Sequence, residues 1–312
     1  MNEERFIMDT EQLLEKLDAA EDEQEIREIG EQLLEADPTS PYGKLAIWQT
    51  MDYDECMESL ETLRDALDKI RAVVDAKDVP PVIDEDRDAQ VYGTILMNLG
   101  YSLLAKGELE DALEVARELA NFDDEGYFPS RTLLYRCMLD LDMHSEILET
   151  LSSDPLESVA GEHARAIAML ETGADAGEVR DAANYAISLA PDVPFLILGI
   201  WEMPESEDDI DEDMEDTVNY ATYLMEPWCA SDKRLALLSA PAFLFGYLTN
   251  RLDDKKEIEA LRSGYEEASV LEDVDAAKKE VEEMESEARD PDEIDATALG
   301  LAAEIVEKLL GE

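Results

Sequence analysis

Leucine, isoleucine and alanine recur three and four residues apart along nearly the whole chain, as at Leu13, Leu14 and Leu17, at Ile26, Ile29, Leu33 and Leu34, and at Leu60, Leu63, Leu67 and Ile70. This spacing gathers apolar side chains on one face of an α-helix, because every third or fourth residue comes back to the same side. Short breaks rich in Pro, Gly and Asp interrupt the pattern: Asp37-Pro38, Val79-Pro80-Pro81, Lys106-Gly107, Asp154-Pro155, Thr172-Gly173, Pro191 and Asp290-Pro291. Amphipathic helices joined by breaks this short pack as antiparallel neighbours. The expected fold is therefore all-α and built of helical hairpins. With 14 Gly and 12 Pro in 312 residues, the chain is too poor in turn residues for a loop-rich β protein.

Charge narrows the function classes. Asp and Glu number 80 against 25 Lys and Arg, a net charge of −55. Binding to a nucleic-acid backbone or an anionic membrane needs the opposite sign, so neither is expected as a direct partner. The 45% of hydrophobic residues can still bury a core, which separates this chain from a highly charged disordered one. Cys56, Cys137 and Cys229 are far apart and odd in number, so a reducing compartment is expected rather than a disulfide framework. The opening Met-Asn-Glu-Glu-Arg is acidic where a secretory signal is basic and then apolar, and no apolar run reaches membrane-spanning length. A cytoplasmic protein is expected.

The clearest internal unit starts near Gly93. One helix carries Leu96, Leu99, Gly100 and Leu103, Lys106-Gly107 breaks it, and a second carries Leu109, Ala112, Leu113, Ala116 and Leu119. Gly100 and Ala112 are small enough for the two axes to approach, and the leucines fill the seam. The set Asn98-Leu99-Gly100, Leu103, Gly107, Ala112, Ala116 and Leu119 resembles the tetratricopeptide repeat, with aliphatic residues or Ala at its aromatic positions and Asp124 at its closing proline. Ala186 and Pro191 match the end of another such hairpin, and segments 3–37 and 41–75 look like further members. From Pro191, the string Val193, Pro194, Leu196, Leu198 and Gly199, then Tyr220-Ala221, Trp228 and Leu237-Leu238, is similar to the suppressor-of-tumorigenicity repeat family and its bacterial relatives. That resemblance covers roughly residues 90–245 and implies a helical repeat, not a reaction.

The expected organisation is N-terminal hairpins over 1–85, tetratricopeptide-like repeats over 86–252 with an acidic loop at 204–216, and a charged helical cap over 253–312. The run from Glu205 to Asp216 has too few apolar residues to pack and reads as a solvated loop. After it, Val218–Leu224 and Lys233–Leu252 read as helices, the latter kinked or restarted at Pro241. The stretch from Ala242 to Leu248 is the most apolar in the chain and is expected to be buried.

Catalytic chemistry finds little footing. With 80 carboxylates, close pairs arise by chance and carry no information. His144 and His163 are the only histidines, so a nucleophile has few bases to choose from. Cys137 and His144 stand seven residues apart, but Asp140 and Asp142 end the helix between them. No Gly-rich phosphate loop, CxxC or HExxH occurs. Asp208, Asp209, Asp211 and Asp213 alternate like calcium ligands, yet the run lacks the glycine an EF-hand loop needs. The expectation is a protein that is not an enzyme and uses no cofactor or metal.

What remains is binding. In the tetratricopeptide family, the first helix of each hairpin lines a concave groove that holds a peptide. In that register Asn98, Arg131 and Arg165 stand 33 and 34 residues apart, with Tyr101 and Tyr135 beside them, and resemble the family's carboxylate clamp without its lysines. These five are the candidate partner-binding residues. The competing reading pairs the arginines with neighbouring carboxylates. The expected function is a non-catalytic scaffold or adaptor for a protein or peptide segment. Its alternative is an acidic chaperone-like or nucleic-acid-mimic protein that holds a basic partner on its negative surface. Adaptation to high salt is a third source of acidity. Trp48, Trp201 and Trp228 read as packing residues.

Overall fold

The computed structural model describes residues 9–206 and 210–310. Among these every regular element is helical. The chain divides into two compact units, one ending at Cys137 and the other beginning at Met138. The division falls inside α8 (Ser130–Asp140).

The first unit runs α1 (Thr10–Asp18), α2 (Glu23–Ala36), α3 (Pro41–Gln49), α4 (Tyr53–Glu58), α5 (Leu60–Asp75), α6 (Arg87–Ala105) and α7 (Leu109–Phe122), then enters α8. Part of the acidity is spent on helix starts. Asp9, Asp22, Asp52 and Asp86 each accept backbone N–H bonds in the first turn of α1, α2, α4 and α6, and each such cap is worth about 1 kcal/mol. Packing runs α1 on α2, α2 on α3, α3 on α5, α5 on α6 and α6 on α7. The seam between α6 and α7 is as expected: Leu96, Leu99, Leu103, Ala112, Ala116 and Leu119 are buried. Gly107 turns the chain with φ +72° where the sequence breaks. Polar atoms brace the same helices. Arg71 of α5 donates two bonds to Glu118 of α7, at 2.8 and 2.9 Å, and the Tyr92 hydroxyl of α6 donates to that carboxylate.

Between α7 and α8 the chain wraps around Asp123, which is fully buried. Its carboxylate accepts from the N–H of Tyr127 at 2.6 Å, the N–H of Phe128 at 3.1 Å and the hydroxyl of Ser130 at 2.6 Å. This loop delivers Phe128 to Gly93 and leads into Leu133, which packs on Gly100. The small residues of α6 thus admit this loop and the start of α8 close to the helix axis.

The second unit runs from the end of α8 through α9 (His144–Ser153), α10 (Val159–Thr172), α11 (Ala176–Leu189), α12 (Val193–Ile197), α13 (Glu215–Cys229), α14 (Asp232–Leu248), α15 (Lys255–Glu267), α16 (Leu271–Ser286) and α17 (Pro291–Leu310). Helix α10 packs on α9, α11 and α13, and α14 packs on α11, α12, α13, α16 and α17. The core is built from Phe195, Trp228, Leu238, Ala242, Leu244, Phe245 and Leu248, all within 2% of full burial. Trp48 is also buried, and the partly buried Trp201 lies against Phe195 with ring centroids 5.0 Å apart, in keeping with packing roles.

Two sequence expectations change here. Helix α14 runs on through Pro241, which removes the expected restart, since packing on both sides of the proline outweighs the lost backbone bond. Helix α13 starts at Glu215, inside the acidic run, after a 3₁₀ turn at Glu212–Met214. Carboxylates favour a helix N-terminus, where the unpaired N–H groups give a positive end. Asp211, Glu212 and Asp213 are exposed, whereas Glu207, Asp208 and Asp209 lie outside the described residues. In the C-terminal segment α17 buries Ala298, Leu299, Ala302, Ile305 and Val306, and it packs on α11, α14 and α16.

Candidate functional site

A groove of about 650 Å³ lies in the second unit where α11, α14 and α17 meet. Its walls are Val179 of α11, Leu237 and Pro241 of α14, and Val306, Leu309 and Leu310 of α17. The hollow exists because the intervening positions are small: Ala183, Ala236, Ala240 and Ala303 stand where leucines would close it. Ala236 and Ala240 are exposed, as are Leu309 and Leu310 at 37% and 57%. Contiguous exposed apolar surface of this kind marks binding faces more often than bare solvent contact. Pro241 has no N–H to give to the carbonyl of Leu237, so the helix wall with an interrupted backbone ladder also faces this groove.

The polar lining is sparse. It comprises Arg180, Asn184, Lys233 and Glu307 among the described residues, with no Cys, His, Ser or Thr. Lys233 donates from Nζ to the carbonyl oxygen of Leu170 at 3.0 Å. Such a surface can hold a ligand by apolar burial and one or two charged contacts. Among the described residues, no group of three or more His, Cys, Asp or Glu is arranged to hold a metal ion. Among them, too, no helix is long and apolar enough to cross a membrane.

The five residues expected to bind a partner differ in their exposure. Asn98 and Tyr101 are half-buried on α6, and the Tyr101 hydroxyl donates to the carbonyl of Pro129 at 3.3 Å. Arg131 is 7% exposed, donating to the carbonyl of Asp123 and, at 3.1 Å, to the hydroxyl of Ser130. Tyr135 is 1% exposed. Arg165 makes a two-pronged pair with Glu162, at 2.7 and 3.1 Å, and Glu162 is itself buried. The first four belong to the first unit and Arg165 to the second. Both arginines meet oxygen partners within their own unit.

Cys137 and His144 lie on different helices, since α8 ends at Asp140 and the turn through Asp142, with φ +54°, precedes α9. Of the groove residues, only Leu237 belongs to a motif named in the sequence, and none was read there as a binding residue. The one sequence signal was α14, which is apolar on every side from Leu235 onward and so must serve more than one packing face. Comparison with protein families, with curated proteins and with solved structures found no match to this chain.

Proposed function

We propose that this chain is a non-catalytic scaffold that binds a segment of another protein, working in the cytoplasm without direct contact to nucleic acid or membrane. The helical hairpins are read as a tetratricopeptide-like array, with α15 to α17 as its charged closing segment. One observation carries this reading: an open apolar groove of about 650 Å³ whose lining offers surface but few reactive groups. The buried Arg131 and Tyr135 make the groove over α11, α14 and α17 a better docking face than the clamp over Asn98, Tyr101, Arg131, Tyr135 and Arg165.

The charge of −55 favours a second reading, a basic partner held on the acidic surface. Salt and a blocked groove separate the two. The full chain and its Ala240→Trp variant are used as bait at low salt, then washed at about 0.5 M NaCl, where the Debye length shrinks to a few Å. A defined protein that survives the wash on the wild type and is missing from the variant supports the groove. Basic proteins that leave both baits together at the salt step support the surface.

A further inference from the structure

Two connections of the first unit, between α5 and α6 and between α7 and α8, line a pocket of about 400 Å³. Residues 80–84 come from one connection, and Phe122 with residues 124–127 from the other. Both are held in shape. Pro80 and Pro81 have fixed φ, Ile83 is buried, and the carbonyl of Asp84 accepts from Gln90 Nε2 at 3.1 Å. On the second connection the buried Asp123 carboxylate pins the N–H of Tyr127, and Gly126 turns the chain at φ +76°. The Tyr127 ring is thereby kept at the surface, 52% exposed, with Phe128 edge-on at 5.0 Å between centroids. Val82 in the same lining is also exposed.

Every charged side chain in the described lining is acidic: Asp84, Asp124 and Glu125, all exposed. Carboxylates alone would mark nothing in a chain with 80 acids. Here they flank an exposed aromatic ring, and among the described residues none of the three meets a cation. Lys77, on the same connection as Asp84, is spent on Asp86 and Asp88. An aromatic face beside unpaired carboxylates attracts an organic cation with an apolar stem.

Resting on the second reading above, we infer that this pocket seats an arginine side chain of a basic partner protein, its guanidinium over the Tyr127 ring and its stem on Val82 and the prolines. Arginine fits better than lysine, because its planar head stacks on an aromatic face and forks onto a carboxylate. A metal ion is the poorer occupant, since among the described residues no group of three or more carboxylates is arranged to hold one.

The test is a selection of displayed random peptides of about ten residues against the full chain, at about 0.15 M salt. Winners are remeasured on Tyr127→Leu and on a protein carrying Asp84→Asn, Asp124→Asn and Glu125→Gln together. A control loses the same charge from α2 through Glu25→Gln, Glu31→Gln and Glu35→Gln. All these side chains are exposed, so the variants keep the fold. The expected winners share an arginine and lose at least about tenfold in affinity on both pocket proteins, while the α2 control binds them within about twofold of the wild type. Replacing that arginine by neutral citrulline costs a similar factor. Basic winners that fall equally on the control and the pocket proteins, that ignore all three, or that use lysine as well as arginine overturn the arginine pocket and leave the acidic-surface reading standing. Winners with no shared basic residue, or an empty selection, overturn both.

Discussion

The indole N–H of Trp228 donates a 3.0 Å hydrogen bond to Nδ1 of His163, and neither side chain reaches solvent. The rings meet edge to face, 5.8 Å between centroids, where α13 packs on α10. Because Nδ1 accepts, the imidazole is neutral with its proton on Nε2. Among the described residues that nitrogen has no partner.

Burial pushes His163 down to about 3, while in the unfolded chain it takes a proton near its ordinary value of about 6.5. Between these values the unfolded chain binds a proton that the folded chain does not. The contribution to stability is therefore complete above about 6.5 and declines as pH falls toward 3, by up to about 1.4 kcal/mol per pH unit. Chemical denaturation at pH 7, 6 and 5 should show this loss, and His163→Gln should flatten it. An equal slope in both proteins would show that His163 is not the group responsible.

Asp123→Ala should destabilise the first unit by roughly 3 kcal/mol, since two backbone N–H groups and the Ser130 hydroxyl lose their acceptor inside the protein. Urea unfolding followed by circular dichroism measures it. Arg131→Ala acts on the same loop, and should lower stability by about 1–3 kcal/mol. A wild-type midpoint for Arg131→Ala, combined with loss of a partner, would return Arg131 to the clamp.

Arg251 joins three parts of the second unit. It donates to Asp192 at 2.7 Å and to both oxygens of Asp295 at 2.8 and 2.7 Å, and its guanidinium lies 4.8 Å from the Phe245 ring centroid. Arg251→Met keeps the packing volume but strands two carboxylates, so a loss of about 2–4 kcal/mol is expected. Arg251→Lys should recover only part of it, because an ammonium cannot fork onto Asp295 while holding Asp192. Full recovery by lysine in thermal unfolding would mean that the fork contributes nothing.

Gly246→Ala places a methyl carbon 2.6 Å from Phe195 Cε1 and 3.1 Å from Leu252 Cγ, in a core with no slack. A cost of about 1–3 kcal/mol follows. Gly264→Ala meets nothing within 4 Å and serves as the control, being neutral or slightly stabilising. Similar destabilisation by both would point to backbone effects instead of the close approach to Phe195.

Much of the helix layout was readable because its determinants are local. The breaks at Lys106-Gly107 and Thr172-Gly173 are left-handed glycine turns at φ +72° and +77°, conformations that few other residues adopt. The stripe through Leu96, Leu99 and Leu103 is a core seam for the same reason, its spacing being that of one helix face. The passage of α14 through Pro241 was not readable, because burial of Leu238, Ala242 and Phe245 by distant helices decides it. The groove was hidden for a related reason. Ala183, Ala240 and Ala303 are ordinary helix residues in the sequence, and their shortness becomes a hollow only when α11, α14 and α17 come together. The charge pattern adds a separate signal. Arg131 and Arg165 stood out by their scarcity and repeat spacing, yet a rare cation in an acidic chain readily finds an oxygen within its own fold, as both do.

The claim that the groove is the binding face can be tested at single residues. A photo-crosslinking side chain is placed at Ala240 in the groove and, in a second protein, at Glu280 on the exposed side of α16. Both are irradiated with partner protein retained after the wash at about 0.5 M NaCl. The groove account predicts a crosslinked product from Ala240 and none from Glu280. Crosslinking from Glu280 with none from Ala240 would contradict it and place the partner on the acidic surface.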